Sequence, residues 1–299
     1  MKILCIGHAA YDITIPVESY PVENTKNRVH DRIECGGGPA CNAAYLLGCW
    51  GADVEFIGVV GNDLYGKKIK AELDRVGVKT DHMQLNDQYT TTSSFIIANT
   101  SIGTRTVLTY RPDEMTYQLD ASLEQPDIIL IDGQEYELSK KILEQYPDAI
   151  SIIDAGRPVP EVIELSKMVN YVVCSHEFAE EMTGLKLKNA NKETLEACYF
   201  KMKEIFQNEI IITLESTGSL YQDQGKVKLM PSISVKAVDS TGAGDLFHGA
   251  FTYGISKKLP LEKVMQIATV AGGISVTKIG GRNSVATKEE MRAYINDFE

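Results

Sequence analysis

The 299-residue chain is 43% hydrophobic and 24% charged, ordinary proportions for a globular protein with enough apolar material for a full core. Its 41 acidic residues outnumber 30 Lys and Arg, a formal net charge of −11. Such a surface repels nucleic acid and anionic lipid, and no run nears the ~18 apolar residues of a membrane span, so neither partner is expected.

Short apolar runs alternate with amphipathic stretches. Residues 3–6 read as a first strand; the single Lys2 and short run before Gly7 lack the long apolar core of a signal peptide. Residues 11–16 and 28–35 read as strands split by a polar loop. Residues 40–50 form a helix apolar all round, 54–60 a strand and 64–76 an amphipathic helix. Residues 91–98 and 104–110 read as a hairpin turning at Ile102-Gly103. Strands then follow at 128–131, 150–153, 171–174 and 210–214, with helices at 138–146, 162–167, 178–183 and 192–206. A buried helix begins near Asp245, and 261–277 is the last. Continuous apolar runs between helices imply an α/β fold with a mostly parallel sheet. The strands at about 11–35 and 91–110 have no helices between them. They are expected to form a small separate sheet, a lid over the ligand end and a surface for a homodimer. No linker or repeat divides the chain, so 1–299 reads as one domain. Six scattered cysteines (Cys5, Cys35, Cys41, Cys49, Cys174, Cys198) without a C-x-x-C pair point to buried thiols in a reduced, cytoplasmic protein and away from zinc.

Two clusters carry the chemistry. In Asp239-Ser240-Thr241-Gly242-Ala243-Gly244-Asp245, Val235 and Val238 look like a strand end, and Leu246 to Phe251 like a buried helix. Small residues there crowd N–H groups at a helix N-terminus, a ready anion site. Asp245 is either a capping carboxylate or a base that takes a proton from a hydroxyl while those N–H groups hold the phosphoryl group under attack. In Cys35-Gly36-Gly37-Gly38-Pro39-Ala40-Cys41-Asn42 the glycines let the backbone approach a ligand, and Pro39 suits a helix start. Asn42 either braces a neighbouring loop or grips the hydroxyls of a polyol; Asp12 is a turn residue or does the same. Gly7-His8-Ala9-Ala10 lacks dinucleotide spacing, and no P-loop is present. Ala268, Ala271, Gly272 and Gly273 allow close approach by a helix or by a flat ligand such as adenine.

These two clusters, about 200 residues apart, closely resemble the paired signatures of the ribokinase-like sugar kinases, the phosphofructokinase B family. The first runs Gly37-Gly38-Pro39-Ala40-Cys41-Asn42-Ala43-Ala44 and the second Asp239 to Asp245 with Gly249-Ala250-Phe251. The resemblance implies a three-layer α/β/α fold with a β-sheet lid. It also implies transfer of the γ-phosphoryl of ATP, with Mg²⁺, to a primary hydroxyl of a sugar. By position Asp245 resembles the catalytic base, the N–H groups of Gly242, Ala243 and Gly244 the anion hole, and Asp12, Gly37, Gly38 and Asn42 the sugar contacts. A monovalent cation, with K⁺ the candidate, would lie by Asp239, Thr241, Gly280 and Ser284. Nucleotide contacts would come from Thr213, Glu215, Gly218 and Gly273.

The chain departs from that pattern in places. The family's Asn-x-x-Glu stretch reads Ser175-His176-Glu177-Phe178, so the acid for Mg²⁺ has either moved to Glu177 or is not used directly. Its Thr-Leu-Gly-x-x-Gly stretch reads Thr213-Leu214-Glu215-Ser216-Thr217-Gly218, with Glu215 where a glycine usually admits the nucleotide. His248 suits a surface or core role rather than catalysis. Lys26, Arg28, Arg105 and Arg111 read as solvated lid charges rather than as a site for an anionic headgroup. Phe247-His248-Gly249-Ala250 and Gly280-Gly281-Arg282 resemble the ketohexokinase and sulfofructose kinase branch, so a ketose such as fructose is the expected substrate. The alternatives are a nucleoside or sugar-phosphate kinase, or a non-catalytic sensor.

Overall fold

The computed structural model describes residues 1–112, 117 and 123–298. In chain order it holds β1 (Lys2–Ile6), β2 (Ala10–Val17), β3 (Ile33–Gly37), α1 (Pro39–Cys49), β4 (Asp53–Ile57), β5 (Val59–Gly61), α2 (Leu64–Arg75), β6 (Gln84–Asn86), β7 (Ser93–Asn99), β8 (Thr104–Tyr110) and β9 (Ile128–Ile131). Then come α3 (Tyr136–Gln145), β10 (Ile150–Ala155), α4 (Pro160–Ser166), β11 (Tyr171–Ser175), α5 (His176–Thr183), α6 (Lys192–Phe206) and β12 (Glu209–Thr213). A single 3-10 turn (Glu215–Thr217) leads to β13 (Gly218–Asp223), β14 (Lys226–Pro231), α7 (Ala243–Ser256), α8 (Leu261–Ser275) and α9 (Lys288–Arg292).

Eight strands form the central sheet in the order β14-β13-β12-β11-β10-β9-β1-β4. From β12 to β4 they run parallel; β13 and β14 add an antiparallel hairpin at one edge. Successive strand residues point to opposite faces, and here both faces are covered. Ile3, Cys5, Ile128, Leu130 and Ile152 pack with α1, α7 and α8 on one side. Leu4, Ile6, Ile129, Ile131 and Ile153 pack with α3 to α6 on the other. That is why these runs are continuously apolar instead of alternating. Each such side chain, fully buried, contributes roughly 1.5–3 kcal/mol, so side-chain burial on both faces fastens the helices to the sheet. No described helix is long and apolar enough to cross a membrane.

A separate four-stranded sheet has the order β3-β2-β7-β8. Asp12 and Ser94 lie side by side on one face of it, while Phe95 pairs with Leu108, and Ser93 with Tyr110, on the other. The tip of its hairpin reaches the main body: Gly103 abuts Ala237, and Arg105 Nη1 donates to Ser240 Oγ at 2.7 Å.

Several elements differ from expectation. Residues 232–242 form no strand; the segment is pinned instead by Val238 N donating to Val276 O at 2.7 Å. Within 28–35 only the end from Ile33 pairs with β2. Gly58 interrupts the 54–60 run, and β5 pairs with β6 in a small sheet of its own. The helix after 261 is not the last: α9 follows, started by a Thr287–Glu290 capping box. Cys49 is exposed, whereas the other five cysteines are buried.

Candidate functional site

α7 begins where the chain turns through Gly242, whose φ of 75° is left-handed and whose added Cβ would lie 3.1 Å from Gly281 Cα. A side chain there is strained on both counts. The first N–H groups of a helix have no intrahelical acceptor. Ala243 N is turned toward Ser240 O at 3.3 Å, so the anion cradle expected from Gly242, Ala243 and Gly244 narrows to Gly242 and Gly244. Gly244 is exposed and Asp245 half-buried in that first turn, so the carboxylate opens to solvent instead of facing the core.

Asp245 is held from across the fold. Asn42, buried on α1, donates from Nδ2 to Asp245 Oδ2 at 2.8 Å. Its Oδ1 accepts from Arg282 Nε at 3.4 Å. Arg282 is itself buried, with Nη1 donating to Glu72 Oε2 at 2.7 Å and Nη2 to Cys41 Sγ at 2.9 Å. The same Glu72 oxygen accepts from Gly36 N at 2.9 Å. One chain of contacts thus links α2, the glycine loop, α1 and α7. Gly38 caps α1, its carbonyl accepting from Asn42 N at 2.8 Å. At Gly37 an added Cβ would fall 2.1 Å from Asp12 Oδ2, so only glycine lets that loop pass the lid strand.

The remaining expected residues divide. Asp239, Thr241, Gly280 and Ser284 do come together, but largely to bind one another. Asp239 Oδ1 accepts from Thr241 N (2.9 Å) and Oγ1 (2.6 Å), and Oδ2 from Gly280 N (2.8 Å); Ser284 Oγ donates to Gly281 O at 2.6 Å. This strut joins the turn before α7 to the 280–284 loop. The Asp239 carboxylate is thereby engaged by the chain's own donors. Ligand atoms of His176, Glu177 and Glu215 lie within 4.8 Å of one another just past β11 and β12; the two carboxylates suit Mg²⁺, a hard cation that takes oxygen ligands, whereas His176 Nδ1 faces Glu177 Oε2 at 3.1 Å. Phe178, where the resembling family has its acid, is fully buried. Thr213 Oγ1 donates to Cys174 O at 3.2 Å. Two of the residues expected at the nucleotide have the chain close against them on the side where a Cβ would project. Gly218 opens β13 pressed against Met230 O, and Gly273 lies under Ile233, whose Cγ1 would be 2.4 Å from an added Cβ.

Other functional groups escaped the sequence reading. Asp132, just past β9, accepts from His8 N (2.9 Å), Ala40 N (3.2 Å) and Gln134 N (3.0 Å), tying the first strand's end to the start of α1. Glu72 and Arg282 join it as braces. A lone acid or base in an amphipathic helix or loop carries no signal of this kind, because its partner is remote in sequence.

The site gathers buried acids. Burial pushes the Asp12 carboxyl up to about 6, against a Ser94 hydrogen bond that pulls it down. Burial likewise raises Asp154 to about 6 and Asp132 and Glu135 to about 7. Burial, then the nearby Arg111 charge, pushes His8 down to about 3. A carboxyl raised in the folded state binds its proton more tightly there than in the unfolded chain. Between about pH 4 and 7 those four groups make the native state hold more protons, so their contribution to stability falls as pH rises. His8 acts oppositely below 6.5, one group against four. Partnered surface acids such as Glu34, Glu180 and Glu290 are lowered and have ionised below this window. Urea unfolding is therefore expected to give higher stability at about pH 5.5 than at about pH 7.5, by on the order of 2 kcal/mol. Stability that rises over this interval would show that these acids do not titrate as their burial dictates.

Residues 1–288 match the family described as pfkB family carbohydrate kinase. A ribokinase of Haemophilus influenzae is 26% identical over 303 residues, covering 99% of this chain and 98% of its own. A nucleoside kinase of Methanocaldococcus jannaschii is 22% identical over 300 residues, covering 97% of this chain and 95% of its own. Among solved structures, Arabidopsis thaliana ribokinase complexed with ribose and ATP superposes with a TM-score of 0.82 at 20% identity, over 99% of this chain and 98% of that one. That likeness establishes the ribokinase fold.

Proposed function

Because the chain belongs to the pfkB family of carbohydrate kinases, and is thereby a phosphotransferase acting on a sugar hydroxyl, we propose that Asp245 is the base of an ATP-dependent kinase acting on a sugar bound beneath the lid sheet. The observation that carries this reading is the placement of Asp245: half-buried at the positive end of α7, beside exposed Gly244, and aimed by Asn42. Asp245 takes the proton of the acceptor hydroxyl as its oxygen bonds to the γ-phosphorus and ADP departs. Gly242 and Gly244 N–H groups face the charge on the moving group. Such transfers ask mainly for positioning and charge stabilisation, and a base typically contributes 10²–10⁴-fold. Asp12, Gly37, Gly38 and Asn42 hold the sugar. Thr213 and Glu215 border the nucleotide, and Glu177 with Glu215 would hold Mg²⁺, which neutralises phosphate charge. A K⁺ ion would meet carbonyl oxygens by Thr241 and Gly280.

The ketose expected from Phe247–Ala250 and Gly280–Arg282 finds no support in relatives that carry ribokinase names. An aldopentose such as ribose is the acceptor we favour, and the nucleoside kinase relative keeps a nucleoside as the second reading. Residues 1–299 act as one kinase domain with its lid. The lid face opposite Asp12 exposes Phe95, Leu108 and Tyr110, which fits a homodimer through that sheet.

The test is ADP production with ATP and Mg²⁺ over a panel of ribose, fructose, other sugars, sugar phosphates and nucleosides. Fastest turnover with ribose supports the reading; turnover confined to nucleosides overturns it. Asn42→Ala is expected to raise the sugar KM about tenfold and lower kcat by less, as Asp245 loses an orienting donor. An unchanged KM would remove Asn42 from the pocket.

A further inference from the structure

Beside Asp245 lies a pair, His248 buried and Asp154 largely so, that the reaction scheme above does not use. His248 sits on α7 three residues past Asp245, on the same helix face, with its side chain 5% exposed. Its Nδ1 is 2.6 Å from Gly244 O, and its Nε2 is 3.1 Å from Val173 O on β11. Nδ1 also lies 3.2 Å from Asp154 Oδ2 on β10. A neutral imidazole has one N–H and one acceptor nitrogen. Both nitrogens here face carbonyl oxygens, which only accept, so either neutral tautomer presses a lone pair against an oxygen. A ring with two N–H groups satisfies both, and Asp154 stands beside it as counter-ion.

We propose that protonated His248 and ionised Asp154 form a buried ion pair that positions Asp245. It ties the turn bearing Gly244 and Asp245 to the ends of β10 and β11, and sets the local charge in which the base works. The proposal rests on the reading of Asp245 as that base. His248 and Asp154 are positioning residues; neither touches substrate.

From the lid sheet, the buried Asp12 carboxyl on β2 also feels the charge of Asp245. Burial raises the Asp154 carboxyl, His248 lowers it, and Asp245 on α7 adds a smaller upward push. Asp132 past β9 and Cys174 on β11 also feel Asp154. α8 meets this turn with Gly272, and α1 with Asn42 and Ala43, none of them titratable. Removing the positive member therefore leaves Asp245 facing an unbalanced carboxylate, and removing the negative member does the reverse.

The experiment compares His248→Gln, Asp154→Asn and the double variant in the full chain, with ATP, Mg²⁺ and ribose or the best acceptor of the panel. Each single variant is expected to lose about tenfold in kcat with sugar KM within about twofold. The acid limb of the kcat profile moves to higher pH in His248→Gln and to lower pH in Asp154→Asn, and the double variant lies between. Long-range ¹⁵N spectra of the wild-type protein at neutral pH are expected to show one histidine with both ring nitrogens protonated, a signal absent from His248→Gln. Limbs that stay put or move the same way overturn the proposal, as does a neutral ring pattern. The ring spectrum needs no turnover: if Asp245→Asn stays active while both nitrogens of His248 are protonated, the base assignment fails and the ion pair stands. Where a variant does not fold, the wild-type ring spectrum decides.

Discussion

Asp245→Asn is expected to lower kcat by two to four orders of magnitude while nucleotide binding is retained. The substitution is nearly isosteric. The amide still offers an oxygen to Asn42 Nδ2, whose 2.8 Å contact orients the side chain, so the first turn of α7 and its N–H groups keep their place. What is lost is the capacity to take a proton, and with it a negative charge beside the phosphoryl group. Losing that charge favours binding of an anionic nucleotide, so calorimetry should give an ATP Kd no weaker than wild type. Steady-state ADP release measures kcat. Turnover within tenfold of wild type would remove Asp245 from the role of base, and the Proposed function with it.

Arg282→Met is expected to be the most destabilising single change at the site, at about 3 kcal/mol or more. The guanidinium is 2% exposed and its partner Glu72 18% exposed. Truncation strands a carboxylate whose other recorded donor is Gly36 N, at 2.9 Å. Breaking such a pair costs more than the pair itself stabilises, because the remaining charge stays out of water. The damage extends to function: Asn42 Oδ1 loses the donor that fixes its orientation, so the amide that aims Asp245 can turn over. Urea unfolding against wild type reads the stability loss, and the sugar KM should rise with it. Combining Arg282→Met with Glu72→Leu should recover most of the stability but not the KM, since the stranded charge is gone and Asn42 remains unbraced. A loss below about 1 kcal/mol in the single variant would mean that water reaches Glu72 and the pair is not a buried one.

The fold's main lines were legible because their causes are local. β1, β9, β10, β11 and β12 are strands covered on both faces, and each appears as an unbroken apolar run. The edge hairpin β13–β14 went unread for the opposite reason: β14 is half-exposed and alternates Lys with apolar residues, leaving no run to see. Val235 and Val238 misled because an apolar pair suggests a strand, but the segment is held instead at the end of α8, with Val238 N donating to Val276 O. Gly218 was read as a nucleotide contact from its place in the resembling family's stretch, and Gly273 from the small residues of its helix. Smallness shows that something comes close; Met230 O and Ile233 turn out to be what does.

The sequence by itself determined the strand–helix alternation, the glycine turn that starts α7 and the carboxylate in that helix's first turn. Each depends on residues within a few positions of one another, where backbone geometry dictates the outcome. Tertiary structure alone decided how that carboxylate is held. Asn42 reaches Asp245 across 203 residues, Arg282 reaches Glu72 across 210, and His248 meets Val173 across 75. Pairings at such separations follow from how the layers pack, and no local pattern of residues records them.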